Sequence, residues 1–235
     1  MSTFIKDYKN SASTYDAMRY GERKRRYINS IHLDTLKSLL PSDTHIKVLD
    51  VGCGTGRGTI VLGQMGFNVI GIDFTTEMLE IAYKKKLEFK LNNITFHRGN
   101  AKKLPYKNNS IDFVVSLNFL HLFDIKTQRI FLKEMTRVLK PKGVIICEFN
   151  NYYRGIIAGK RTLKYNHTLT LNKIRDIHFL YLKDKLIVRK IYGSSLPYLW
   201  RIFQFFPTIG KRIEKLAHFK PFSYISDRFF VKAKK

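Results

Sequence analysis

The segment Val48–Gly56, with the sequence VLDVGCGTG, constrains the fold of this chain more than any other stretch. The apolar residues around Asp50 predict a short buried strand, and three glycines then follow at alternate positions. Glycines let the backbone turn sharply and let a ligand approach it without obstruction by a Cβ atom. The pattern therefore predicts a nucleotide-type cofactor loop after the first strand of a parallel sheet.

The spacing of the glycines decides between the nucleotide loops. The dinucleotide fingerprint requires G-x-G-x-x-G, and no register of Gly52, Gly54 and Gly56 satisfies it. A Walker loop is excluded because no Gly-Lys-Ser/Thr follows. Asp50 would repel a pyrophosphate but suits a cofactor with a cationic end. The segment resembles the first motif of the class I methyltransferases, whose cofactor S-adenosyl-L-methionine carries an ammonium and a sulfonium group.

Four later segments resemble further motifs of these enzymes, in the same order. The segment Phe67–Asp73 predicts a second strand, and the resemblance implies that the Asp73 carboxylate accepts hydrogen bonds from the ribose hydroxyls. Phe74 would then lie against the adenine. Asn100 stands where the family usually has an aspartate, and its amide oxygen can accept the same hydrogen bond from the adenine without the charge.

The last two segments are Ser110–Leu117, which predicts the fourth strand, and the helix, turn and strand of residues 131–149. The resemblance covers about residues 40–150. The cofactor residues that it implies, for S-adenosyl-L-methionine and its product S-adenosyl-L-homocysteine, are Asp50, Gly52, Gly54, Gly56, Asp73, Phe74, Asn100, Ala101 and Leu117.

The resemblance implies an α/β fold with a doubly wound, Rossmann-like sheet of seven strands, the last of them antiparallel. Residues 185–192 predict the sixth strand and residues 229–235 the last. We expect one domain over residues 1–235. Its parts would be a helical lid at 1–44, a cofactor-binding core at 45–150, and C-terminal strands at 151–235, with residues 196–225 forming a roof over the acceptor pocket.

Two side chains are candidates for catalysis. His121 follows the fourth strand, near the expected position of the methyl group, and the ordinary pKa of imidazole suits a general base at neutral pH. The alternative is a structural histidine that caps the next helix. Tyr15 belongs to a Tyr-Asp element that, in similar small-molecule methyltransferases, begins a helix over the cofactor. Its alternative is a solvated basic helix.

No metal site is expected, because neither Cys53 nor Cys147 has a cysteine or histidine at metal-ligand spacing. We expect both to be free thiols in a reducing cytoplasm. No segment reaches the roughly 20 apolar residues of a membrane span. The first ten residues lack the apolar region of a signal peptide.

The net charge of +25 is unevenly distributed, since residues 140–235 contain 21 Lys and Arg against 5 Asp and Glu. Such an excess favours anionic partners. An AT-rich genome is an alternative cause, because 28 lysines outnumber 15 arginines. The insertion mixes basic residues with aromatic ones, among them Trp200, Phe203, Phe205 and Phe206, so we also expect weak peripheral contact with a membrane.

The sequence therefore predicts a methyltransferase that acts on a small-molecule or lipid acceptor. The positive net charge favours an anionic acceptor. An RNA methyltransferase is the first alternative, and the lack of an Asn-Pro-Pro-Tyr type tetrapeptide for a flipped base argues against it. The second alternative is a protein that binds the cofactor but has lost the activity. The replacement at Asn100 is what favours it.

Overall fold

The structure is a computed structural model that describes residues 2–151, 186–194, 196, 203, 205–218, 226 and 228–235. Trp200 and 13 other residues of the predicted roof lie outside the described residues, as do residues 152–185 between the fifth and sixth strands. None of the helices in the described ranges is long and apolar enough to cross a membrane.

Seven strands form one sheet in the order β3-β2-β1-β4-β5-β7-β6. Neighbours among the first five are parallel, whereas β7 lies antiparallel between β5 and β6. This confirms the predicted sheet and its antiparallel last strand. The strands are β1 (Lys47–Val51), β2 (Asn68–Asp73), β3 (Ile94–Arg98), β4 (Ile111–Ser116), β5 (Leu139–Asn150), β6 (Ile187–Ser194) and β7 (Arg228–Lys234).

The fifth strand begins earlier than the sequence indicates. Residues Leu139–Gly143 read as a turn, but β5 starts at Leu139, which pairs with Ile111 before a register shift. Lys142 has a φ of 67°, so the turn-like conformation exists within the strand. The preceding helix also begins earlier than predicted, because the Asp124 carboxylate caps it by accepting a hydrogen bond from the Thr127 N–H at 2.7 Å.

The helices of the described part are α1 (Ser2–Tyr20), α2 (Arg23–Leu39), α3 (Arg57–Gln64), α4 (Thr76–Glu88), α5 (Ile125–Val138) and α6 (Pro207–Glu214). Two 3₁₀ turns, Leu120–Leu122 and Lys215–His218, complete them.

Successive residues of a strand face opposite sides of the sheet, and both sides are covered. On one side, Leu132 and Met135 of α5 join a core that includes Leu49. On the other, Leu36 and Leu39 of α2 join a core that includes Val48. The helix α2 is thus part of the domain core, and α1 is the N-terminal helix that remains to cover a ligand.

The order of the strands reverses between β1 and β4, which is where a doubly wound sheet opens a crevice at the carboxyl ends of its strands. The Ser116 hydroxyl at the end of β4 donates to the carbonyl oxygen of Val51 at 2.9 Å and holds the two strand ends together. Loops after β1 and β4 therefore meet over the same crevice.

Candidate functional site

The three glycines after β1 have left-handed backbones, with φ values of 74°, 53° and 79° for Gly52, Gly54 and Gly56. A Cβ atom on Gly52 would lie 2.3 Å from the Phe119 ring, and one on Gly56 would lie 3.0 Å from the Cβ atom of Ala82. A Cβ atom on Gly54 would meet nothing within 4 Å. Gly54 therefore borders open space, whereas the other two glycines allow close packing.

That open space is a cavity of about 1090 Å³, its open mouth included. Eight of the nine predicted cofactor residues line it, namely Asp50, Gly52, Gly54, Asp73, Phe74, Asn100, Ala101 and Leu117. Gly56 does not line it. The glycine at that position starts α3 beside α4, so its role in the structure is the approach of two helices.

Asp73 is held rigidly at the end of β2. Its Oδ2 accepts a hydrogen bond from the Gly54 N–H and its Oδ1 accepts one from the Thr75 N–H, both at 2.9 Å. Burial raises the pKa of this carboxyl, and the two backbone donors oppose the rise. The carboxylate oxygens retain lone pairs toward the cavity, as binding of a diol requires.

The adenine end of the expected cofactor would meet Phe74 and Asn100. The Arg98 guanidinium lies 5.6 Å from the centre of the Phe74 ring and donates to the Phe74 carbonyl at 3.3 Å. The Asn100 Oδ1 accepts a hydrogen bond from the Lys102 N–H at 2.9 Å. This contact orients the amide of Asn100 and leaves its oxygen one further lone pair.

Asp50 and Arg57 form a pair of opposite charges on the cavity wall. Asp50 is 2% exposed, and its Oδ2 accepts a hydrogen bond from the Thr59 hydroxyl at 2.7 Å. Its Oδ1 has no hydrogen-bond partner among the described residues, and neither do the buried Nε and Nη2 atoms of Arg57. Burial raises the pKa of Asp50 to about 6.

An unpartnered carboxylate oxygen beside unpartnered guanidinium donors is complementary to a zwitterionic amino acid group. S-adenosylmethionine carries such a group at the end opposite its adenine. The lining could therefore hold this cofactor, with Asp73 and Phe74 toward the adenosine and Asp50 and Arg57 toward the amino acid. Sequence reasoning missed Arg57, although its position directly after the glycine loop is a usable signal.

The helix α1 covers one side of the cavity with Tyr15 and Tyr20. Asp16 fastens it, because its carboxylate accepts a hydrogen bond from the Thr55 hydroxyl at 2.8 Å and forms an ion pair with Lys85 of α4. The Lys85 ammonium also donates to the Thr55 carbonyl at 2.9 Å. Tyr15, predicted as a catalytic candidate, therefore does reach the cavity.

The opposite wall is aromatic. Phe119, Phe123 and Phe131 line the cavity, and their ring centroids lie 4.8 to 5.1 Å apart. His121 does not line it. This residue is 4% exposed and lies in the 3₁₀ turn Leu120–Leu122. The structure thus places the predicted general base next to wall residues but outside the wall itself.

A buried polar cluster lies at the ends of β4 and β5, where Asn118 reaches the cavity wall. The fully buried Glu148 accepts a hydrogen bond from the Asn118 N–H at 3.1 Å and pairs with Arg228. The His32 Nδ1 lies 3.5 Å from Glu148 Oε1. Burial would raise the pKa of Glu148, but Arg228, His32 and Arg57 outweigh burial and hold it well below its ordinary value.

Comparison with solved structures defines the class of the fold. The chain is similar to magnesium protoporphyrin IX methyltransferase from Synechocystis PCC 6803, solved with bound SAH, with a TM-score of 0.73, 19% identity and complete coverage of both chains. A SAM-dependent methyltransferase from Thermotoga maritima gives a TM-score of 0.70 at 19% identity and covers 97% of this chain and 98% of that one. The fold is that of the class I methyltransferases.

Comparison of the sequence with known proteins gives more specific similarities than the fold does. Residues 49–147 match the family described as a methyltransferase domain. Demethylmenaquinone methyltransferase from Oceanobacillus iheyensis is 39% identical over 145 residues, which are 60% of this chain and 58% of that protein. The Staphylococcus haemolyticus protein of the same name is 36% identical over 147 residues, or 60% and 57%. The chain thus matches somewhat more than half the length of these relatives.

Proposed function

We propose that this protein is an S-adenosylmethionine-dependent methyltransferase whose acceptor is a small aromatic compound with ring hydroxyls, of the hydroquinone type. The observation that carries the proposal is the joint presence of Asp50, Arg57 and Asp73 on the wall of one cavity. The relatives named for demethylmenaquinone favour a quinone-derived acceptor. The aromatic wall of Phe119, Phe123 and Phe131 suits a flat ring.

Different residues of this chain bind the cofactor and orient the acceptor. When bound, S-adenosylmethionine supplies a methyl group that is already activated by a cationic sulfur. Asp73 holds the ribose, Asp50 the ammonium and Arg57 the carboxylate of the amino acid end. The phenylalanine wall orients the acceptor ring and excludes water, which raises the effective concentration of the reacting atoms.

Removal of the acceptor proton is the remaining task. His121 stays the predicted proton acceptor, although it is buried and does not itself line the cavity. Tyr15 reaches the cavity directly, and we assign it to contact with the bound molecules beneath α1. A His121→Ala variant lowers the rate of transfer with unchanged affinity for the cofactor if this assignment holds.

The test is transfer of a labelled methyl group from S-adenosylmethionine to 1,4-dihydroxynaphthalene and its 2-prenyl derivative. We expect transfer by the wild type, a fall of about 10-fold or more for Asp50→Asn, and no change for the exposed control Asp43→Asn. Absence of S-adenosylhomocysteine binding by the wild type contradicts the cofactor assignment. Binding without transfer to either compound contradicts the acceptor assignment alone.

We further propose that the protein contacts anionic membranes peripherally through α6 and its flanks. Phe205, Phe206, Ile209 and Leu216 are 55%, 59%, 55% and 44% exposed. Basic residues accompany them, since Lys211 and Arg212 occupy the last turn of α6. Exposed aromatic and aliphatic side chains beside cations are typical of a helix that lies in a lipid interface.

Sedimentation with vesicles of phosphatidylglycerol and phosphatidylcholine tests this contact. Phe205→Ala/Phe206→Ala should weaken binding about 10-fold or more because it removes apolar area that the lipid would bury. The control Phe89→Ala removes a ring that is 47% exposed and lies directly after α4. The part of the binding due to apolar burial should survive high salt. Complete release at high salt, with tight and specific binding of RNA instead, would favour the RNA methyltransferase.

A further inference from the structure

Asn118 has an unusual backbone for its position. It lies two residues after the end of β4, lines the cavity and has a φ of 54°, in the left-handed region. Left-handed backbones are unfavourable for residues other than glycine, although asparagine tolerates them better than most. Such a conformation persists where the surrounding structure determines it, and it is often found at binding sites.

Two charged side chains, the buried Glu148 and the partly buried Arg228, determine the conformation of Asn118. Its backbone N–H donates to Glu148 Oε2 at 3.1 Å, and its side-chain Oδ1 accepts a hydrogen bond from Arg228. A guanidinium group only donates hydrogen bonds, so the oxygen of the amide has to face Arg228. The amide NH₂ is then the part of the side chain that is left for a molecule in the cavity.

The wall around Asn118 offers donors and few acceptors. Both oxygens of Glu148 are engaged, one by the Asn118 N–H and the other by Arg228 and His32. Arg57, whose donors the proposed function assigns to the cofactor carboxylate, adds a positive charge to the same cavity wall. A group that binds beside Asn118 is therefore a hydrogen-bond acceptor, and a negatively charged oxygen is favoured over a neutral one.

We propose that Asn118 binds the acceptor oxygen of the methyl-accepting molecule through its amide NH₂ and favours the ionised, phenolate form of that oxygen. Glu148 and Arg228 are positioning residues that hold Asn118 in this orientation. The inference rests on the proposed methyltransferase function and adds to it the group through which the acceptor is recognised. It also gives the left-handed backbone of Asn118 a purpose, because an extended backbone would direct the side chain elsewhere.

The experiment measures binding of 4-nitrophenol to the protein saturated with S-adenosylhomocysteine. The visible absorbance of this probe reports its ionised form, so a titration gives both the affinity and the pH at which the bound probe ionises. Asn118→Asp keeps the shape and the contact to Arg228 but replaces the NH₂ donor by an oxygen. Asn118→Gly removes the side chain and accepts the left-handed backbone without strain.

The matched control is Asn109→Gly. Asn109 also has a left-handed backbone, with a φ of 55°, but it precedes β4 and is not part of the cavity wall. We expect affinity for 4-nitrophenolate to fall about 10-fold or more in both Asn118 variants, and to stay unchanged in the control. The variant Arg228→Lys keeps the charge but loses the forked geometry, so the bound probe should ionise at higher pH.

Each outcome separates the inference from the function on which it rests. If the wild type fails to bind S-adenosylhomocysteine, the proposed function is wrong. If S-adenosylhomocysteine binds in all variants while 4-nitrophenol does not bind the wild type, or binds it no better than Asn118→Asp and Asn118→Gly, the inference about Asn118 is wrong. An ionisation of the bound probe that is the same in the wild type and in Arg228→Lys overturns the positioning role.

Discussion

The proposed cofactor end and the proposed acceptor end of the cavity are built in different ways. At the cofactor end, Thr59 contacts Asp50 across 9 positions of the sequence and Gly54 contacts Asp73 across 19. At the acceptor end, Asn118 and Glu148 are 30 positions apart, and Arg228 lies 110 positions from Asn118 and 80 from Glu148. Local contacts create a cofactor end that any related loop can reproduce, whereas the acceptor end depends on the complete sheet.

The two ends also differ in how their buried carboxylates are paired and in the direction in which the pKa values are shifted. The cofactor end leaves Asp50 Oδ1 and the Arg57 donors without hydrogen-bond partners among the described residues, and burial raises the pKa of Asp50. The acceptor end pairs its buried carboxylate, and the pKa of Glu148 is lowered. The cofactor end therefore has charged groups that a charged ligand can pair with. At the acceptor end, the buried Glu148 is already paired with Arg228.

The largest expected effect concerns the ion pair between Glu148 and Arg228. Arg228→Met leaves Glu148 buried without its guanidinium partner, and we expect the free energy of unfolding to fall by about 3–5 kcal/mol. Chemical denaturation measures it. Arg189→Met, which removes an exposed arginine from the neighbouring strand β6, serves as the control. A loss for Arg228→Met no larger than that of the control would mean that the pair does not hold the acceptor end together.

The two carboxylates should respond to pH with opposite signs. The raised pKa of Asp50 means that its ionisation destabilises the folded ligand-free protein as pH rises from about 4 to about 6, by roughly 2–3 kcal/mol at most. Asp50→Asn should therefore be more stable than the wild type at pH 8, with the difference disappearing at acidic pH.

Glu148 has a lowered pKa, so the stability it contributes is present above the ordinary carboxyl pKa and is lost as pH falls below it. Glu148→Gln should thus be less stable than the wild type at neutral pH. Stability curves for both variants between pH 3 and pH 8 provide the measurement. If Asp50→Asn and Glu148→Gln change the free energy of unfolding in the same direction at neutral pH, the two ends do not differ electrostatically as described.

The glycine loop offers a comparison within the cofactor end. Alanine at Gly54 has to adopt a left-handed backbone, which costs about 1–2 kcal/mol of stability, and its methyl group enters the open cavity. Gly66 has a φ of 91°, and a Cβ atom there would meet nothing closer than 3.8 Å, so Gly66→Ala should have a similar cost. Calorimetry should show loss of S-adenosylhomocysteine affinity in Gly54→Ala alone. Equal affinities in the two variants would mean that the ligand does not approach the loop at Gly54.

The smallest expected effect concerns the attachment of α1. Asp16→Asn weakens the contacts with Thr55 and Lys85, so we expect S-adenosylhomocysteine to dissociate several-fold faster. A change of this size corresponds to the free energy of about one exposed ion pair. Stopped-flow displacement measures the rate. Asp34→Asn, which disturbs an ion pair between α2 and Lys211, is the control. An unchanged rate for Asp16→Asn would mean that α1 does not retain the ligand.

The sequence was sufficient to predict the strands and the glycine loop around the proposed cofactor end, because short motifs determine them. The strand β1, its glycine loop and Asp73 follow from adjacent residues, and the structure confirms the fold that they imply. Arg57 was missed because an arginine at a helix start is ordinary until its burial is known. The roles of Asn118 and Arg228 could not be predicted, because their contact requires the pairing of β5 with β7.

In the proposed function, one cavity binds the adenosine and the zwitterionic amino acid of the cofactor at separate places. Titration of S-adenosylhomocysteine and of 5′-methylthioadenosine, which lacks the amino acid, into the wild type and Arg57→Met tests it most directly. We predict that Arg57→Met weakens S-adenosylhomocysteine by about 10- to 100-fold and leaves 5′-methylthioadenosine unchanged. Equal weakening of both ligands, or no binding of S-adenosylhomocysteine to the wild type, would contradict the claim.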